Sequence, residues 1–105
     1  MILPKKIMIN HRNWNIKKDK EISNANFNYS KMNIIIGTCG NSDRETLANL
    51  VHEVGEISCV ERGVRATKSM VSNESKDYVF VCDHGRFADV MNDISRAIGD
   101  VMKME

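Results

Sequence analysis

Hydrophobic positions after Met32 follow two different periods, and the change of period predicts where strands and helices lie. Ile34, Ile35 and Ile36 form a short apolar run that is typical of a buried strand. The glycines that follow this run favour a turn. A helix is predicted next, because apolar residues recur at three- and four-residue intervals as far as Gly55, which is expected to cap it: Leu47, Leu50, Val51 and Val54.

The rest of the chain adds two strands, a second helix and a short last strand. Residues 56–72 are predicted as a strand, although the valines of this segment also fit a helical period. Tyr78–Cys82 is rich in β-branched and aromatic residues, which favours a buried strand. From Gly85 the apolar spacing is helical again, and Gly99 is expected to break this helix so that Val101–Met104 forms the last strand.

This order of elements, βαββαβ, predicts an α+β fold, a ferredoxin-like sandwich with two helices on one face of an antiparallel sheet. The length of 105 residues, with 42% hydrophobic and 28% charged residues, is typical of one small globular domain. No apolar run approaches the roughly 20 residues of a membrane span, and the first residues do not read as a signal peptide. Three irregularly spaced cysteines favour reduced thiols, so we expect a cytoplasmic protein.

Charge divides the chain at Met32. Residues 1–32 hold seven Lys or Arg against two acidic residues, a net charge of +5, whereas residues 33–105 hold eight against twelve, a net charge of −4. The first segment is also rich in asparagine and poor in apolar residues. We therefore predict a basic N-terminal arm, either a solvated tail or a strand on the edge of a domain formed by residues 33–105. Contact of this arm with nucleic acid stays an alternative.

A short motif opens the predicted first helix. Asp43, Arg44 and Leu47 match the ends of the Asp-Arg-Pro-Gly-Leu-Leu pattern that usually precedes this helix in ACT-type regulatory domains, while Glu45 and Thr46 replace its Pro and Gly. With the order of elements after Met32, this segment resembles that family. The resemblance implies a non-enzymatic regulatory or interaction module that forms a homodimer and binds a small effector at the first strand-to-helix loop.

That loop is therefore the candidate ligand-binding site. Backbone N–H groups at a helix N-terminus attract a carboxylate or phosphate, and an arginine nearby adds an anion partner. Ser42 and Glu45 have the spacing of a capping box, so these two side chains are an alternative partner for the same N–H groups. No cofactor is expected. The predicted ligand-binding residues are Gly37, Gly40, Asn41, Ser42 and Arg44.

An enzymatic alternative rests on two pairs of carboxylates. Glu53 and Glu56 are three residues apart, as are Glu74 and Asp77. This spacing resembles the magnesium-binding motif of the all-α MazG-type nucleoside triphosphate pyrophosphohydrolases. The resemblance implies four carboxylates that hold Mg²⁺, which polarises a triphosphate and activates water. It requires helices where the pattern predicts strands, so a protein that is not an enzyme is the preferred hypothesis.

Thiol and imidazole groups offer further chemistry. Cys82 and His84 alternate after a predicted strand, and His52 or Cys59 would be further soft ligands for zinc or nickel; a buried cysteine beside an exposed histidine is the alternative. Cys39 lies before a predicted helix, a place that activates thiols. Phosphatase-like loops need five residues between Cys and Arg, and only four separate Cys39 from the next arginine, so no catalytic thiol is predicted.

Overall fold

A four-stranded mixed sheet and two helices form an α+β fold in the computed structural model, which describes residues 1–67 and 78–104. The sheet has the spatial order β1-β2-β4-β3, in which β2 and β4 run parallel and the other neighbours antiparallel. A separate antiparallel pair, β5 and β6, precedes the second helix. The elements are β1 (Lys6–Ile9), β2 (Arg12–Asp19), β3 (Ala25–Asn28), β4 (Asn33–Gly37), α1 (Asp43–Glu61), β5 (Arg65–Thr67), β6 (Tyr78–Phe80) and α2 (His84–Met102).

The core lies between one face of the sheet and the two helices. Side chains of a strand alternate between faces, and the inward positions of the sheet are buried in β1 and β4 and partly buried at the ends of β2 and in β3. Trp14 packs edge-to-face against Phe27 and Tyr29, with ring centroids 6.2 and 5.1 Å away. The helices complete the core with apolar residues at helical spacing. The buried apolar residues of this core are Leu3, Ile7, Ile9, Trp14, Ile34, Ile36, Leu50, Val54, Ile57, Ala97 and Val101.

The segment before Met32 is not the arm that its composition predicts. It supplies three of the four strands of the main sheet, and Ile7, Ile9 and Trp14 lie in the core. Its apolar residues are few, but Ile7 and Ile9 of β1 and Trp14 and Ile16 of β2 fall at alternate positions, which is enough to cover one face of a sheet. Its lysines and asparagines lie mainly on the open face and in the turns, so their number says little about folding.

The helices also run further than the sequence predicts. Gly55 lies inside α1 despite the roughly 1 kcal/mol cost of a helical glycine, and a Cβ there would be 3.5 Å from the Ile94 side chain of α2, an ordinary contact distance. Gly99 likewise lies inside α2, and Val101 packs into the core from this helix instead of starting a strand. Neither described helix has the length and apolarity needed to cross a membrane.

The α+β class is confirmed, but the described elements follow the order ββββαββα instead of βαββαβ. The prediction of a strand at β4 is confirmed, and β6 forms the first part of the strand predicted from Tyr78. However, β6 pairs only with β5 among the described strands, outside the main sheet. The predicted strand at residues 56–72 is wrong as far as Glu61, which is helical, but it is confirmed at β5; its part from residue 68 lies outside the described residues.

The buried carboxylate of Asp93 joins α2 to α1 and to the β1–β2 turn. It accepts hydrogen bonds from Ser58 Oγ at 2.6 Å, Arg62 Nη2 at 3.0 Å, Arg96 Nη1 at 3.1 Å and the Asn10 amide at 3.4 Å. Burial alone would raise the pKa of Asp93, but these hydrogen bonds and the Arg62 charge outweigh it and hold the pKa below its usual value. Asp93 is therefore ionised when the chain is folded at neutral pH.

We expect Asp93→Ala to lower the free energy of unfolding by about 3 kcal/mol, because it leaves Arg62 and Ser58 without their shared buried partner. Urea denaturation measures this change. Asp89→Ala is the matched control, since Asp89 is exposed and lies 3.7 Å from the same arginine. The folded pKa is depressed, so the stabilisation is present above the unfolded value of about 3.9 and is lost as pH falls through the folded pKa. Equal effects of both substitutions at neutral pH would contradict the assignment.

Candidate metal centre

Helix α1 sets the position of the candidate site. It begins with the capping box that the sequence predicts, in which Glu45 N donates to Ser42 Oγ at 3.2 Å and Ser42 N donates to Glu45 Oε1 at 3.1 Å. Its apolar stripe then packs on the sheet and is fully buried at Leu50, Val54 and Ile57. Because this stripe fixes the rotation of the helix, the polar residues beside it are held at the edge of the core.

Three metal-binding side chains lie together on this helix: His52, Glu53 and Glu56. His52 Nε2 is 3.1 Å from Glu56 Oε2, and with a carboxylate oxygen of Glu53 the three atoms lie within 4.8 Å of one another. Two ligands of one tetrahedral zinc ion, each about 2.1 Å from it, would be about 3.4 Å apart. The His52–Glu56 separation therefore fits two ligands of a single ion, with Glu53 beside them.

Glu53 is the unusual member of this group. Its side chain is 4% exposed, whereas the His52 side chain is 68% exposed. Burial raises the pKa of Glu53, and the nearby charge of Glu56 raises it further. The nearby His52 and Arg65 act in the opposite direction, but by less than burial and Glu56 raise the pKa.

His52 and Glu56 also line a groove of about 280 Å³ between the two helices. The other described residues that line it are mostly apolar, and Phe80 and Met91 expose 47% and 38% of their surface there. A metal ion at His52 and Glu56 would thus face an apolar groove that is open to solvent. The remaining lining residues are Val51, Gly55, Cys59, Phe80, Val90, Met91 and Ile94.

The soft ligands that the sequence suggests are only partly brought together. Cys59 lies one helical turn after Glu56 and lines the same groove. Burial raises the pKa of the Cys59 thiol, with smaller contributions from Cys82 and Glu56. Within the described residues, the compact group at His52 includes neither Cys59 nor the exposed residues Cys82 and His84.

The residues of the predicted effector loop lie together, but their polar groups bind one another. Asn41 Nδ2 donates to the carbonyls of Ser23 at 2.7 Å and Gly37 at 3.0 Å, and Ser42 is engaged in the capping box. Gly40 has a φ of +70°, which favours glycine. Arg44 is exposed on the first turn of α1. The effector site stays a prediction, with the loop's hydrogen bonds explained by the fold itself.

Close backbone packing, and not ligand binding, explains the glycine at position 37. A Cβ there would lie 2.1 Å from the carbonyl oxygen of Asn24 and 2.6 Å from that of Ile22, so only glycine fits. Next to this loop, Asp43 Oδ1 lies 3.1 Å from the amino group of Met1. The loop is thus built around contacts with the N-terminal strands, which the sequence does not predict.

Only one of the two carboxylate pairs in the pyrophosphohydrolase hypothesis lies within the described residues. Glu53 and Glu56 lie on one helix, as that hypothesis requires, but within a mixed α+β fold instead of an all-α one. Glu74 and Asp77 lie outside the described residues.

A signal for the centre is present in the sequence as His52-Glu53-x-x-Glu56, which places His52 and Glu56 on one helical face, but only if α1 continues through Gly55.

Comparison of the chain with protein-family models, with curated proteins and with solved structures found no match.

Proposed function

We propose that the protein is a metal-dependent hydrolase in which His52 and Glu56 hold a divalent ion and Glu53 is the general base. The observation that carries the proposal is the grouping of three side chains: Glu53, which is 4% exposed, has a carboxylate oxygen within 4.8 Å of both ligand atoms. A catalytic base needs a lone pair that faces the site, and this position provides one.

The spacing of the three residues suits this chemistry. In zinc metalloproteases with the His-Glu-x-x-His motif, two ligands four residues apart share one helical face and the glutamate after the first is the base. Glu56 takes the place of the second histidine, and ligand sets that mix His with Glu are common in catalytic zinc sites. His52, Glu53 and Glu56 therefore have the positions that this division of roles requires.

A bound divalent ion supplies Lewis acidity, which lowers the pKa of a coordinated water towards neutrality. With such an ion bound at His52 and Glu56, Glu53 would accept a proton from the attacking water and would pass it to the leaving group. The raised pKa of Glu53 brings it closer to the working pH, where a general base is most effective. Burial among apolar residues also strengthens the electrostatic interactions at this point.

The groove favours an uncharged substrate. None of the described residues that line it is a lysine or arginine, whereas a nucleoside triphosphate needs cationic partners. Apolar side chains beside His52 and Glu56 suit a substrate with an apolar group next to the bond that is cleaved. We therefore favour an amide or peptide substrate over the triphosphate of the pyrophosphohydrolase hypothesis.

We expect the metal-free protein to bind one Zn²⁺ in isothermal titration calorimetry, and His52→Ala to weaken this binding at least roughly 100-fold, the upper range for loss of an outer-sphere partner. His11→Ala is the matched control, because His11 is an exposed histidine in the β1–β2 turn. Zinc-dependent cleavage is then assayed with fluorogenic peptides that carry apolar residues, and with nucleoside triphosphates and Mg²⁺. Zinc affinity that His52→Ala does not change would refute the proposal.

The regulatory module, its effector and its homodimer stay predictions. They have less support from the geometry, because the polar groups of the loop at Asn41 and Ser42 are engaged within the chain. The two hypotheses differ at Glu53: a binding module has no use for a base there, whereas hydrolysis depends on it.

A further inference from the structure

The open face of the main sheet, which is turned away from the two helices, is lined mostly by asparagine and lysine. Lys6 of β1 lies beside Asn15 of β2. Asn15 in turn lies beside Asn33 of β4, and Asn33 beside Asn28 of β3. One row of polar side chains therefore crosses all four strands. Neighbouring strands are about 4.8 Å apart, so the row is about 14 Å long.

This open face is positively charged. Lys17 projects from it one row further along β2, beside Ile35. On this face of the described strands the only acidic residue is Asp19, at the end of β2, and its Oδ1 accepts a hydrogen bond from the Glu21 amide at 2.8 Å. The first 32 residues carry a net charge of +5, whereas the rest of the chain, with both helices, carries −4. The open face thus suits a partner with negative charge.

The asparagines of the open face are not explained by the fold. Asparagine is unfavourable in strands. Asn28 Oδ1 accepts hydrogen bonds from Ser30 and Lys31, but the side chains of Asn15, Asn26 and Asn33 have no hydrogen bond to another described residue. Residues that break a local preference without a structural gain point to function. These carboxamides are therefore left to bind a partner.

We propose that the open face binds a single-stranded nucleic acid. A carboxamide has both donors and acceptors, which match the edges of the bases, and lysine neutralises phosphate. The major groove of duplex DNA is about 12 Å wide and admits a two-stranded ribbon, whereas this row spans four strands. A single strand instead lays its bases across a four-stranded sheet, where their edges are free to form hydrogen bonds.

Fluorescence anisotropy with labelled homopolymers of about 12 nucleotides, both RNA and DNA, tests this proposal. We expect Lys17→Gln to weaken binding roughly eightfold at about 50 mM salt, and to reduce the slope of log K against log salt by about 0.7, because one phosphate contact is lost. Lys18→Gln is the matched control. Lys18 is the next residue of β2, and its Nζ donates to the Met1 carbonyl at 2.9 Å on the other face.

The carboxamides are tested by Asn15→Asp, which keeps the shape of the side chain but replaces a donor with negative charge. We expect at least roughly tenfold weaker binding and a preference among the four RNA homopolymers that the variant changes. Asn92→Asp adds the same charge on α2, where Asn92 is exposed, and should leave binding unchanged. Circular dichroism of each variant shows whether its fold is retained.

Three results would overturn the proposal. The first is no anisotropy change with any oligonucleotide at about 50 mM salt, where such contacts are strong. The second is an equal loss of binding in Lys17→Gln and Lys18→Gln, which would exclude the open face. The third is equal binding of all homopolymers and of heparin, which would identify a surface for any polyanion. The open face and the candidate metal centre lie on opposite sides of the sheet, so zinc binding should be the same in Lys17→Gln and the wild type.

Discussion

Glu53→Gln is expected to reduce hydrolysis by about 10²–10⁴-fold, the usual contribution of a general base, while zinc binding changes little. Glutamine has nearly the shape of glutamate but cannot accept a proton from the attacking water. His52 and Glu56 are untouched by this change, so the metal stays. Steady-state cleavage of an apolar fluorogenic peptide and zinc titration of the same samples measure the two effects separately.

The same substitution should make the fold more stable at neutral pH. Burial raises the folded pKa of Glu53 above its unfolded value of about 4.3, so ionisation of this carboxyl opposes folding. The penalty is absent below the unfolded pKa and complete above the folded one. The gain in Glu53→Gln, measured by urea denaturation of the metal-free protein, should therefore vanish below about pH 4. Glu21→Gln, at an exposed position before β3, is the control.

A substitution that lowers activity and raises stability identifies a residue that serves function at the expense of stability. A structural Glu53 would instead give a variant that is less stable and equally active, if any activity exists. Full turnover in Glu53→Gln would show that Glu53 is not the general base, even if the protein binds metal at His52 and Glu56.

A chain that starts at Met32 is expected not to fold. It lacks β1, β2 and β3 and with them the core residues Ile7, Ile9 and Trp14. Burial of one such side chain contributes about 1.5–3 kcal/mol, so the loss of three is comparable with the whole stability of a small domain, about 5–15 kcal/mol. Circular dichroism should show no cooperative thermal unfolding.

The control for this deletion is a chain that ends at Met102, which loses only residues beyond α2. Lys103 and Met104 are exposed, so this chain should unfold cooperatively like the full protein. Cooperative unfolding of the chain from Met32 would show that the predicted boundary at this residue is right after all.

Local signals were sufficient for the starts of the two helices but not for their ends. The start of α1 follows from Ser42 and Glu45, and α2 follows from apolar residues at helical spacing, because caps and amphipathic stripes act within a few residues. The strands before Met32 escaped prediction because lysine and asparagine dominate their composition. Only the alternation of inward and outward positions identifies these segments as strands, and β1 shows this alternation over just four residues.

The candidate metal centre was hidden by one residue. Gly55 favours the end of a helix. A helix that ended there would exclude Glu56, so His52, Glu53 and Glu56 would not lie on one helix. Helix α1 continues through Gly55 because Val54 and Ile57, on either side of it, pack in the core against residues far apart in the chain. The burial of Glu53 likewise depends on the whole fold. The residue types were therefore readable from the sequence, whereas their roles were not.

During translation, the four strands of the main sheet are synthesised well before helix α2, which helps to cover the sheet. All four strands of the main sheet end by Gly37, while the core residues of α2 extend to Val101. At about 5–20 residues per second, the 64 residues between these two positions take roughly 3–13 s to translate. During this time the apolar face around Trp14 lacks α2, and the edges of the sheet offer unpaired backbone groups to other chains. Nascent-chain chaperones should therefore bind this protein early, and slowing translation after Gly37 should increase its aggregation.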